Sequence, residues 1–140
     1  MNYKIAIEAK EKQALLAHLE AAFPNEGCGF FFGKDEDELR IVTKIRPVNN
    51  AKAGDQRRRF EINPLDYIKA ERYALQHNLT LLGIYHSPPN HPAIPSEHDR
   101  RQAVPFFSYI IASIQDGQAA DLTSWRLNEE THQFDKEQVI

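Results

Sequence analysis

The stretch from Leu79 to Asp99, LTLLGIYHSPPNHPAIPSEHD, holds the residue types best suited to chemistry in this 140-residue chain. Leu79 to Tyr85 is short, continuous and apolar and follows the breaker Asn78, which predicts a buried strand with His86 at its end. Pro88, Pro89, Pro92 and Pro95 then fix φ and remove backbone donors, so the next segment must be an ordered, stiff loop rather than a central strand. Ser96 suits the N-cap of a short helix, and Asp99 falls in its first turn, where a negative charge suits the helix dipole. Residues two apart on an extended chain share a face, so a His-x-His pair at a strand end is a two-nitrogen clamp for a metal. Here the pair is incomplete. His86 is present, but Pro88 takes the second place and has no lone pair to offer. Asp99 lies at a distance that lets the first helical turn return to the strand end with an oxygen donor. By themselves these residues support a metal site or an acid–base site. Plainer readings stay open beside it: a helix cap made by Ser96 and Asp99, and a hydrogen-bonded imidazole at a sheet edge.

The elements that must position them mix strands with helices. Tyr3 to Ile7 reads as a first strand, and Lys10 to Phe23 places Leu15, Leu16, Leu19, Ala22 and Phe23 on one helical face before Pro24-Asn25. Glu26-Gly27-Cys28-Gly29 leads into the aromatic run Phe30-Phe31-Phe32-Gly33, expected as a central strand. Leu39 to Val48 is a third strand, which Pro47 pushes towards an edge or an end; Asn49 to Gln56 is a loop and Arg59 to Ile62 a further short strand. Asn63 caps a helix that has Pro64 at its first position and runs to about His77. Phe106 to Ile114, closed by Asp116-Gly117, and Leu122 to Leu127 are strands, and Thr131 to Val139 is a last strand or a frayed helix. This order predicts an α/β fold with a mixed β-sheet sandwiched by helices.

At 140 residues the chain fits one domain, residues 1–140, with a sizeable core. One cysteine, Cys28, excludes an internal disulfide framework and a thiolate zinc cluster, and a reducing cytoplasm is the default setting. The N-terminus lacks the apolar core of a signal peptide, and no apolar run approaches the roughly 20 residues that span a bilayer, so a soluble protein without a membrane partner is expected. A net charge of −3 argues against nucleic acid as the main partner. Arg57-Arg58-Arg59 is the one basic cluster: either the solvated start of a strand, or a patch that steers an acidic protein or a carboxylate-ended tail.

A resemblance adds to this reading. The chain resembles the JAMM (MPN-plus, JAB domain) zinc metallopeptidases, whose motif is an upstream glutamate, then His-Ser-His-Pro, a proline-bearing loop, and Pro-Ser-x-x-Asp. Here it stands as Glu26, His86-Ser87-Pro88-Pro89 and Pro95-Ser96-Glu97-His98-Asp99. The turn Pro24 to Gly29 and the late Ser124-Trp125-Arg126-Leu127 with Phe134 extend the likeness over nearly the whole chain. The resemblance implies a JAB/MPN, cytidine-deaminase-like architecture. It implies His86 and Asp99 as zinc ligands, Glu26 as general acid/base, and Ser96 as the hydroxyl supporting a tetrahedral intermediate. Pro88 departs from the motif at the second ligand histidine, with His91 as the candidate substitute donor. The compact length resembles prokaryotic members that act on the Gly-Gly tail of a ubiquitin-like or sulfur-carrier protein. That partner and zinc are the expected substrate and cofactor, with activity impaired by Pro88. The rival expectation is an inactive MPN-minus-like protein-binding module without zinc; a weaker one is a different metal hydrolysis on a small substrate. Oligomeric state is not indicated.

Overall fold

The structure, a computed structural model, describes residues 2–140. Its elements follow the order β1 (Lys4–Ile7), α1 (Ala9–Ala22), β2 (Cys28–Glu36), β3 (Leu39–Val48), α2 (Pro64–Gln76), β4 (Thr80–His86), α3 (Glu97–Gln102), β5 (Ser108–Gln115), β6 (Gln118–Asn128) and β7 (Gln133–Val139). All strands belong to one mixed sheet in the order β1-β3-β2-β4-β5-β6-β7, which closes on itself through a parallel pairing of β1 with β7. The expected α/β fold with a mixed sheet is present. The sheet is in addition closed and barrel-like, which the expectation of a sheet sandwiched by helices did not include. The reason is β1: four residues long, it pairs with β3 on one side and β7 on the other and so joins the two edges. Alternation within a short strand does not reveal how many neighbours it has.

The aromatic run of β2 lies between β3 and β4, in the central position expected of it. Successive residues on a strand face opposite ways. Phe31 accordingly joins a core with Leu15 and Leu19 of α1, while Phe30 and Phe32 join another with Ala70 and Ala74 of α2. Two helices thus bury the two faces of the same strand. Pro47 falls where β3 pairs only with β2, since β1 covers β3 only from Leu39 to Val42, so its missing donor breaks no ladder. Asn63 caps α2 by accepting from the Leu65 amide at 2.9 Å. One expected strand is absent. Arg59 to Ile62 joins no ladder: β2 and β4 already have both neighbours. Among the described residues no helix is long and apolar enough to cross a membrane.

Candidate active site

β4 pairs in parallel with β5 and antiparallel with β2, and this register sets Cys28 opposite His86 at the strand ends. Ser87 continues the pairing: its amide donates to the Gly27 carbonyl at 3.2 Å, and the Gly27 amide donates to Ser87 Oγ at 3.0 Å. The turn carrying Glu26 is thereby clamped beside His86, and both side chains are withdrawn from solvent, Glu26 to 6% and His86 to 2% exposure. The proline loop is ordered as expected. Asn90 donates from its amide to the Ile114 carbonyl at 2.8 Å, Ser113 Oγ donates to the His91 carbonyl, and Thr123 Oγ1 donates to the Ala93 carbonyl at 2.7 Å.

The loop delivers α3 to the strand end. Ser96 and Asp99 form a reciprocal capping box: Asp99 N donates to Ser96 Oγ at 3.0 Å and Ser96 N donates to Asp99 Oδ2 at 2.8 Å. The plainer reading of this pair is therefore realised, and the same Oδ2 also faces His86 Nε2 at 3.3 Å. Burial alone would raise the Asp99 carboxyl, but the His86 charge and the Ser96 hydrogen bonds outweigh it and hold the group at about 2. Burial opposes a charged His86, yet Asp99 and Glu26 together raise its pKa. Glu26 is pushed up to about 7, chiefly by burial, with His86 and Arg59 opposing and Asp99 reinforcing. Although it sits in a turn, this carboxyl is buried. A carboxyl that exchanges its proton near neutrality suits general acid–base work.

Glu26, His86, Ser96 and Asp99 line one cleft of about 650 Å³, and Pro88 and His91 line it as well. A catalytic zinc keeps three protein ligands and a water. His86 Nε2 and Asp99 Oδ2 are spaced much as two ligands about 2.0–2.1 Å from a shared tetrahedral ion would be. The third donor is missing. Among the described residues no three His, Cys, Asp or Glu side chains converge on one metal position; His91 is exposed, and His98 Nδ1 lies 2.7 Å from Arg59. The present donor set does not fit a catalytic zinc.

Three contributors were not foreseen. Phe60 stacks on the His86 ring, centroids 4.6 Å apart, and closes one wall. Asn50 holds that wall to the glutamate turn: Nδ2 donates to the Glu26 carbonyl at 3.0 Å and the Arg59 carbonyl at 3.1 Å, while Oδ1 accepts from the amides of Lys52 and Glu61. Ser87, within the recognised motif, serves as the clamp rather than in the chemistry. Asn50 carried no signal beyond its place in a polar stretch.

A mixed sheet with a histidine at a central strand end, an aspartate returned by a capped helix and a buried glutamate beside them defines a JAB-type domain. Residues 8–128 match the family described as prokaryotic homologs of the JAB domain, and the chain belongs to that family. It is 34% identical over 95 residues to the probable TtuB-protein conjugate cleaving protease of Thermus thermophilus, covering 68% of this chain and 60% of that protein. It is 28% identical over 115 residues to the desampylase of Haloferax volcanii, covering 79% of this chain and 81% of that one. Among solved structures, a protein of Desulfitobacterium hafniense superposes with a TM-score of 0.84 at 30% identity, covering 97% of this chain and 91% of that one.

Proposed function

We propose that this chain is a hydrolase for the amide bond at the C-terminal tail of a ubiquitin-like or sulfur-carrier protein, impaired as written by Pro88. The observation that carries the reading is the convergence of Glu26, His86, Ser96 and Asp99 on one cleft, with the Glu26 proton exchangeable at about pH 7. The names of the Thermus and Haloferax relatives support a protein conjugate as substrate. Glu26 accepts a proton from the attacking water and returns it to the departing amine. The Ser96 hydroxyl accepts from the Asp99 amide, which leaves its own hydrogen to donate to the carbonyl oxygen as negative charge develops there. Zinc would be the cofactor of a completed site: a histidine at position 88 beside His86 and Asp99 would supply the third donor that Pro88 withholds in this chain.

The test is zinc stoichiometry and cleavage of a ubiquitin-like protein carrying a peptide extension after Gly-Gly, in the chain as written and in Pro88→His. One donor carries about 3 kcal/mol of a total near 10, so the variant should gain zinc affinity and cleavage on the order of a hundredfold. No zinc and no cleavage in either protein would end the hydrolase reading. The missing third donor favours a second reading, a binding module without zinc. Tail binding without hydrolysis in both proteins would establish it.

A further inference from the structure

Arg57, Arg58, Arg59 and Arg101 all line the cleft that holds Glu26 and His86, although the chain as a whole carries a net charge of −3. They come from two separate elements, the strap before Phe60 and the last turn of α3. Arg58 pairs with Asp55 at 3.6 Å, but Arg57, Arg59 and Arg101 have no carboxylate partner among the described residues. The acidic groups beside them are engaged elsewhere: Asp99 with His86 and the Ser96 amide, Glu97 with Arg100. Pro88, Pro89, Pro92 and Ile94 line the same cleft and give it apolar surface against which an extended tail gains contact without needing charge. The cleft therefore combines apolar and cationic lining.

The geometry points to the arginine rim as a docking surface for an acidic face on the folded body of the partner whose tail enters the cleft. This rests on the tail-directed reading above and adds what recognises the partner's body. A small anion would need convergent, buried donors, whereas these arginines are exposed and come from two separate elements. Diffuse charge of that kind speeds encounter and sets orientation for a macromolecule carrying the opposite sign. The cluster that sequence left open between a solvated strand start and a steering patch lies on no strand and borders the site.

The test uses the full chain, three probes and fluorescence anisotropy. One probe is a Gly-Gly-tailed ubiquitin-like protein with carboxylates flanking its tail, the second is the same protein with those residues changed to amides, and the third is the tail peptide alone. At about 50 mM salt the acidic probe should bind about tenfold more tightly than the amide version, and the difference should vanish near 300 mM. Arg57→Gln/Arg101→Gln should lose that preference and keep its affinity for the peptide within about twofold. Equal binding of the acidic and amide probes overturns the docking surface while leaving the tail-directed function standing, because the peptide still binds. A double variant that loses peptide as strongly as protein also overturns it, since the arginines would then read the tail. Failure of all three probes to bind overturns both.

Discussion

At Glu26, function and stability pull in opposite directions. In the open chain its carboxyl ionises near 4.5, whereas folding holds the proton to about 7, by burial first and by Asp99 in addition, against His86 and Arg59. Between those values the folded state binds the extra proton, so stability falls as pH rises through that window and the loss is complete above it. Its size is on the order of 3 kcal/mol. Asp99 runs the other way: held at about 2, it contributes stability that is present above about pH 4 and lost as pH falls towards 2. Glu26→Gln in chelator-treated protein should therefore be more stable than the parent at pH 8 by about 1–3 kcal/mol and little different at pH 4. Urea unfolding at both values checks this, and a variant no more stable at pH 8 would show that the glutamate is not strained. Ser96 separates into two roles by the same reasoning. Ser96→Asn keeps an N-cap acceptor but removes the hydroxyl donor, so it should fold normally and lose cleavage about a hundredfold in the Pro88→His background. Retained cleavage in that double variant would confine Ser96 to capping.

Among the elements, the strap from Asn50 to Ile62 decides the shape of the cleft although it belongs to no helix or strand. Asn50 satisfies two carbonyls and two amides at once, and the Glu26 amide donates to the Gln56 carbonyl at 2.7 Å. Asn50→Ala strands those groups, at a cost of about 2 kcal/mol, and frees Phe60 from His86. Hydrogen exchange should show residues 56–62 losing protection while β4 and β5 keep theirs; uniform loss would mean the strap is part of the global core. How far the elements were legible follows from what each one needed. β2, α2 and the start of α3 were readable because an aromatic run, Asn63-Pro64 and Ser96-x-x-Asp99 each specify their structure within a few residues. Arg59 to Ile62 misled because its composition suits a strand, and only the finished sheet shows that β2 and β4 already have both neighbours.

Across the whole molecule, the same limit hid closure of the sheet and the group that crosses its interior. His86, Asp99, Ser96 and Glu26, and the loss of a donor at Pro88, were legible because motif spacing carries them, whereas the failure of His91 and His98 to replace that donor and the arginine rim became clear only once separate stretches met. Arg40 is the extreme case, since nothing near it in sequence marks it as buried. It is 1% exposed, and from β3 it reaches Ser108 Oγ on β5 at 2.8 Å and the Leu82 carbonyl on β4 at 3.4 Å. Its Nε has no hydrogen bond and lies 3.5 Å from Asp35, while the guanidinium carbon stands 4.3 Å over the Phe106 ring. Burial lowers its pKa, with Arg126 adding to the effect against Asp35 and Glu137. A buried cation with one ion-pair contact at 3.5 Å and an unbonded Nε recovers only part of its desolvation cost. Arg40→Met should thus change stability by less than about 1 kcal/mol, or raise it. Asp35→Asn, which leaves the cation in place with less compensation, should cost about 1–2 kcal/mol more than Arg40→Met. The double variant should return close to the Arg40→Met value, because the carboxylate has nothing left to offset. Urea denaturation of the three variants settles it: an Arg40→Met loss of several kcal/mol would mean that the guanidinium holds β3, β4 and β5 together rather than merely occupying the space between them.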